Sequence, residues 1–168
     1  FFFKVTAPTE IYTLSLQDAL PICDVIFTSG GTESNNAAID GTINGAGVTR
    51  LIVSAIEHSS IFEYIRALDV DVVILPSTRE GVVDMARLPA LLEQPSPDNG
   101  RTLVAIVLAN NETGVIQPVA EATKLAHEHG ALVLCDAGQA AAKIPVDFCE
   151  LDRKSTRLNS SHKPISYA

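Results

Sequence analysis

Short apolar runs alternate with segments of helical periodicity through the middle of the chain. The runs predict strands, while segments with apolar residues three and four positions apart predict helices. The last two runs are apolar at nearly every position, which is typical of strands that are buried on both faces. The predicted strands are Asp24–Thr28, Leu51–Ser54, Val70–Leu75, Thr102–Leu108 and Ala131–Cys135.

One helix is predicted in each interval between these strands. This repetition predicts a parallel sheet with helices on its faces, because parallel neighbours need a crossover connection. We therefore expect the α/β class, with a three-layer αβα core. The predicted helices are Glu33–Thr42, Ser59–Leu68, Asp84–Glu93 with Asp84 as its cap, and Pro118–His129 with Gly130 as its stop.

Charge is spread unevenly over the 168 residues. The formal net charge is −8, of which residues 1–23 carry −1, residues 24–152 carry −11 and residues 153–168 carry +4. The acidic balance argues against nucleic-acid binding driven by net charge. No apolar run reaches the length of about 18 residues that a membrane span needs. Three cysteines without a C-x-x-C pair predict free thiols in the cytoplasm rather than a disulfide framework or a zinc site.

Both ends differ in composition from the middle. Residues 1–23 fit a signal peptide poorly, because Glu10, Asp18 and two prolines interrupt the apolar stretch. Residues 153–168 are basic and rich in Ser, which is typical of a tail. The strings SLQDALPI and RKSTRLNSSH also resemble translated sequencing-adaptor sequence. We therefore expect residues 24–152 to be the native segment and both ends to be non-native.

Two polar segments follow early strands, at the sheet edge where ligands bind in open α/β folds. Thr28–Glu33 places two glycines before a helix, a form that cradles phosphate because amide groups and the helix N-terminus favour an anion. Glu57–Ser60 offers an imidazole that could stack on a ring or move protons. A capped glycine turn and a capping segment with a solvated histidine are the simpler interpretations.

Two further polar segments end the two most apolar strands, so we expect them to share one crevice. Asn110–Gly114 brings two amides and a carboxylate, and Asp136–Gln139 brings a partly desolvated carboxylate that needs a cationic partner. A polar turn and an N-cap explain each segment equally well when it is taken alone. Together, a phosphate cradle, an imidazole, two amides and a carboxylate suit pyridoxal phosphate. No metal site is predicted, because a helix C-terminus explains the pair His127 and His129.

Four motifs in this order resemble the cysteine desulfurases of the NifS/IscS group, which are pyridoxal-phosphate enzymes of aminotransferase class V. The resemblance covers residues 24–152 and implies an incomplete large domain of PLP fold type I. It implies sulfur transfer from L-cysteine to an enzyme cysteine persulfide, leaving L-alanine and feeding iron–sulfur cluster assembly or tRNA thiolation. It also implies a homodimer with sulfur-acceptor scaffold partners, while net charge and composition predict neither direct nucleic-acid contact nor a membrane. The motifs are SGGTESNNAAIDG, EHSSIF, NNETGVIQPV and DAGQAAAKIPVD.

The resemblance implies a role for six residues of these motifs. His58 would stack on the cofactor ring and assist proton transfer. Asp136 would pair with the pyridine nitrogen and keep it protonated, because a close carboxylate favours the cationic form. The other implied contacts are Gly31 and Thr32 with the phosphate group, and Asn111 and Gln139 with the phenolic oxygen.

The chain also departs from the family pattern. Cys23, Cys135 and Cys149 do not match the sulfur-accepting cysteine, which lies in a C-terminal domain of these enzymes. Ser160–Lys163 matches the motif of the lysine that binds the cofactor, but it follows a polar stretch inside the adaptor-like tail, so we interpret Lys163 as a chance match. We therefore expect this chain alone to be inactive. Two alternatives stay open, namely another class V enzyme (a selenocysteine lyase or an aminotransferase) and a non-catalytic module that binds a phosphorylated ligand.

Overall fold

A computed structural model describes residues 2–3, 26, 28–141, 143–145 and 156–160. Its strands are β1 Phe2–Phe3, β2 Val48–Ser54, β3 Asp71–Leu75, β4 Arg101–Val107, β5 Leu132–Asp136 and β6 Thr156–Ser160. They form one sheet in the order β1-β6-β5-β4-β2-β3, and every neighbouring pair is parallel. The predicted α/β class with a parallel sheet is therefore confirmed.

Within the described residues, four α-helices lie between the strands: α1 Gly31–Ala46, α2 Ser59–Ile65, α3 Leu88–Leu92 and α4 Val119–Glu128. The first, second and fourth predicted helices are confirmed with shifted ends. α1 runs four residues past its predicted end because Gly47, at φ 68°, closes it with a hydrogen bond to the Thr42 carbonyl. α4 ends just before Gly130, whose φ of 72° suits a helix stop.

The third predicted helix, Asp84–Glu93, is wrong in both its length and its cap. Asp84 lies in a turn, where its amide donates to the Pro76 carbonyl at 2.8 Å beside the antiparallel bridge between Ser77 and Val83. The helix begins only at Leu88, and a proline follows in its first turn, where the missing N–H does no harm. Helical periodicity thus persists through a segment that is only partly helical.

Apolar side chains on the two faces of the sheet form separate clusters. Along β4, Leu103 and Ala105 pack with residues of α1 and α2 on one face, while Val104 and Ile106 pack with residues of α3 and α4 on the other. This alternation follows from the two-residue period of a strand. The central strands are therefore covered on both sides, which gives the predicted three layers.

The ends of the chain bring two further findings. Of the predicted strand Asp24–Thr28, only Ile26, in an isolated bridge, and Thr28 lie within the described residues. β6 lies inside residues 153–168, whose composition predicted a tail, and its backbone pairs with β5. The non-native origin of residues 1–23 and 153–168 stays a prediction. Among the helices of the described chain, none combines the length and apolarity that crossing a membrane requires.

The backbone at Gly100 lies close to the side chain of Thr49 in β2. A Cβ atom at Gly100 would lie 2.3 Å from Oγ1 of Thr49, and that hydroxyl donates to the Pro97 carbonyl at 2.7 Å. We expect Gly100→Ala to lower the free energy of unfolding by about 1–3 kcal/mol, because Thr49 must move. Chemical denaturation measures this effect.

The matched control is Gly45→Ala in α1, where a Cβ atom would meet none of the described atoms within 4 Å. This change is expected to raise the free energy of unfolding by about 0.5–1 kcal/mol, because Ala restricts the unfolded chain and favours the helix. Equal stabilities of the two variants would refute the close contact at Gly100.

Candidate functional site

The carboxyl ends of β2, β4 and β5 gather the polar residues. Asp136 ends β5 and is paired in register with Val107, the last residue of β4. Ser54 ends β2, and a turn then leads through Glu57 to His58. Parallel strands present their carboxyl ends at one edge, so residues that are distant in sequence become neighbours here.

The Asp136 carboxylate is held by two hydrogen bonds. Its Oδ2 accepts from Nδ2 of Asn35 at 3.0 Å, and its Oδ1 accepts from the Gly138 amide at 2.9 Å. The contact with Asn35 joins α1 to β5 and orients a half-buried negative charge at the sheet edge. Such a carboxylate suits a cationic partner.

Asn35 was missed by the sequence analysis. It is 1% exposed and lies on the helical face that also buries Ala38, Ile39 and Thr42. Asn35 stands three and four positions before the apolar residues Ala38 and Ile39, so it lies on the same helical face. This spacing could have identified it, because a buried polar group needs a hydrogen-bond partner.

Gly31 and Thr32, the predicted phosphate contacts, lie in the first turn of α1. The amides at the N-terminus of this 16-residue helix carry partial positive charge that favours an anion. A Cβ atom at Gly30 would meet no described atom within 4 Å, so the loop is open at this point. The carboxylate of Glu33 accepts from the hydroxyl and amide of Ser29, and the hydroxyl contact is the main cause that lowers the pKa of Glu33.

His58 is exposed and caps α2. Its Nδ1 accepts from the Ser60 amide at 3.2 Å and lies 2.8 Å from the Ser60 hydroxyl. Accepting at Nδ1 leaves the ring proton on Nε2 in the neutral form. The capping interpretation of this segment is thus correct, and the rest of the ring stays available for other contacts.

A cavity of about 270 Å³ lies beside the ends of β4 and β5. Asn111 and Gln139 both line it, which confirms that the third and fourth polar segments share one crevice. Oε1 of Gln139 accepts from Nζ of Lys143 at 2.7 Å at its rim. This cavity is not lined by the other predicted site residues of the described chain, which are Gly31, Thr32, His58 and Asp136.

Asn110 organises the loop that carries Asn111. Its Oδ1 accepts from the amides of Glu112 and Thr113, both at 2.9 Å, and its Nδ2 donates to the Ile56 carbonyl at 3.0 Å. The last bond ties the loop after β4 to the turn after β2. Both asparagines line the cavity, and Asn110 also shapes the loop through these hydrogen bonds.

The role of Glu57 was not predicted from the sequence, where His58 is the feature of this segment that indicates a site. Its side chain is buried, and Oε1 accepts from the Val107 amide at 2.6 Å and from the Ser54 hydroxyl. Burial is the main cause that raises the pKa of Glu57 to about 8; the Ser54 bond opposes this shift, and the charge of Asp136 adds to it.

Several candidates lie elsewhere or outside the described residues. Lys163, Cys23 and Cys149 fall outside them. Cys135 is fully buried in β5, and burial raises the pKa of its thiol well above the ordinary value. Three metal-ligating side chains do not come together anywhere in the part of the chain that the structure describes.

Comparison with known protein families identifies the family of this chain. The family described as aminotransferase class-V matches residues 18–166. The chain belongs to the aminotransferase class-V family. This chain is similar to the cysteine desulfurase IscS of Dictyoglomus turgidum. The two are 38% identical over 133 residues, which cover 76% of this chain and 32% of the relative.

Two solved structures also resemble this chain. The class-V chain resembles a NifS-like protein from Rickettsia africae with a TM-score of 0.67 and 33% identity, covering 79% of this chain and 35% of that one. It also resembles SspA, solved in complex with cysteine, with a TM-score of 0.65 and 28% identity, covering 79% and 38% of the two chains. The chain thus spans about a third of the length of the relatives it matches.

Proposed function

We propose that this class-V chain carries part of the pyridoxal phosphate site of a cysteine desulfurase. The observation that carries the proposal is the Asp136 carboxylate, fixed by Asn35 and Gly138 at the carboxyl end of β5. A carboxylate held in this way suits the protonated pyridine nitrogen of the cofactor. The relatives, which are named cysteine desulfurases, support the same assignment.

We assign residues of suitable chemistry to each polar group of the cofactor. The N-terminus of α1, with Gly31 and Thr32, offers amides and a hydroxyl to the phosphate group. Asn111 and Gln139, which share the cavity, offer amide groups to the phenolic oxygen. The exposed ring of His58 can stack on the cofactor.

Bound pyridoxal phosphate supplies an electron sink for negative charge that develops on the substrate. Asp136 supports this chemistry by holding a proton on the ring nitrogen, because its charge favours the protonated form. The helix N-terminus orients the group by binding its phosphate. His58, with a proton on Nε2 when neutral, can exchange a proton with a group beside the ring.

L-Cysteine is the proposed substrate, since one structural relative is described in complex with cysteine. Cys135 does not suit the role of sulfur acceptor, because its thiol is buried and its pKa is raised, whereas thiolates are the reactive form. The acceptor thiol is therefore a different one, and we propose that this chain alone does not complete sulfur transfer. Scaffold partners, a homodimer and a cytoplasmic location belong to the same proposal.

The substrate is tested in a longer protein that contains this sequence. Formation of L-alanine from L-cysteine is expected, whereas transamination that depends on a keto acid would favour another class V enzyme. Borohydride reduction of this chain with pyridoxal phosphate, followed by peptide mass analysis, tests Lys163. We expect no label there, and a stoichiometric label would refute the interpretation of Lys163 as a chance match.

A further inference from the structure

The Glu57 carboxyl group bridges two strands at the edge where the proposed cofactor site lies. The last register pair between β2 and β4 joins Val53 and Ala105. β2 ends one residue later, so the Val107 amide has lost its strand partner, and Oε1 of Glu57 accepts from it at 2.6 Å. The side chain thus replaces a strand carbonyl.

This contact holds the turn that presents His58. The turn is fixed at a second point, since Asn110 donates to the Ile56 carbonyl at 3.0 Å. It is fixed at a third point by the Ala55 amide, which donates to the Leu75 carbonyl of β3 at 2.9 Å. The bond between Glu57 and Val107 is therefore one of three contacts that fix this turn, and it is the one made by the residue next to His58.

The surroundings of Glu57 disfavour a negative charge on it. Its side chain is 8% exposed, and Oε2 is buried without a hydrogen-bond partner among the described residues. No cation of the described chain forms an ion pair with it. The titratable groups near it are Asp136 and Cys135 on β5, and the adjacent His58, whose ring turns to Ser60. An isolated buried carboxylate is far more costly than a neutral carboxylic acid at the same position.

We propose that Glu57 is a positioning residue of this site. As an uncharged carboxylic acid it holds the turn that presents His58, and it leaves Asp136 as the negative charge at this edge. The positioning role rests on the proposed function, because it acts on the cofactor through these two residues. The protonation of Glu57 does not rest on it and has a separate test.

The first test follows the unfolding of the full chain between pH 5 and 8. The raised pKa of about 8 means that folded Glu57 keeps a proton that the unfolded chain releases above its ordinary value of 4.5. Stability therefore falls as pH rises through this window, by up to about tenfold in the folding equilibrium constant per pH unit. Glu57→Gln, which cannot ionise, should remove this slope. Glu63→Gln, at an exposed position of α2, should keep it.

Parallel profiles of the wild type and Glu57→Gln over this range would overturn the uncharged state. The measurement needs no cofactor, so it decides the state of Glu57 even if the proposed function is wrong.

The second test measures pyridoxal phosphate affinity at pH 7. Glu57→Gln keeps a neutral side chain of the same shape with an acceptor oxygen, so its affinity should stay within about threefold of the wild type. Glu57→Ala loses the acceptor and should bind at least about tenfold more weakly, the equivalent of one hydrogen bond. Equal losses in both variants, or no loss in Glu57→Ala, would overturn the positioning role. A wild-type chain that binds no cofactor would overturn the proposed function and this role together.

Discussion

Asp136→Asn is expected to weaken the binding of pyridoxal phosphate by about tenfold to a hundredfold. A hydrogen bond to a charged group contributes about 1.5–3 kcal/mol, and each 1.4 kcal/mol is a factor of ten in affinity. The substitution keeps the shape of the side chain but removes the charge that holds the ring nitrogen protonated. Its amide nitrogen would also face one of the donors, Asn35 or Gly138, that now bind the two oxygens.

The control is Asp69→Asn, which makes the same change of charge at an exposed position outside the site. Titration of both variants with pyridoxal phosphate, followed by visible absorbance, gives their dissociation constants. Asp136→Asn with wild-type affinity would contradict the role of this carboxylate. An equal loss of affinity in both variants would show that the loss comes from the change in net charge and not from the position of Asp136.

Ile106→Ala is expected to lower the free energy of unfolding by about 2–5 kcal/mol. Ile106 is fully buried in β4 and belongs to the cluster that α3 and α4 cover. Truncation to Ala leaves a cavity in a well-packed layer, because the strands on both sides of β4 are fixed by their hydrogen bonds. Urea denaturation monitored by circular dichroism measures the loss.

Ile74→Ala is the matched control for this change. Ile74 lies in the edge strand β3 and is 45% exposed, so its truncation should change the free energy of unfolding by less than about 1 kcal/mol. Similar losses in the two variants would contradict the buried position of β4 between two helical layers.

The central strands could be predicted because their sequences carry the evidence themselves. β4 and β5 are apolar at successive positions, and only a strand with helices on both faces buries such a run. The polar segments after them could be placed at one edge for the same reason. Asn111 and Gln139, which are 28 positions apart in sequence, do line one cavity.

The hydrogen bonds that set the site could not be predicted, because each depends on a tertiary neighbour. Asn35 reaches a carboxylate 101 positions away, and Glu57 reaches an amide 50 positions away. Neither partner follows from local periodicity. The segment at Asp84 also has a partner outside the local pattern: its amide bonds to the Pro76 carbonyl beside the bridge between Ser77 and Val83, and the helix begins only at Leu88.

Equilibrium dialysis of the full chain against pyridoxal phosphate tests the central claim most directly. One molecule should bind per chain, with saturation, and pyridoxal without the phosphate should bind at least about tenfold more weakly, because the N-terminus of α1 then has no anion to hold. Absence of saturable binding, or equal affinity for the two compounds, would contradict the assignment of this chain as part of a pyridoxal phosphate site.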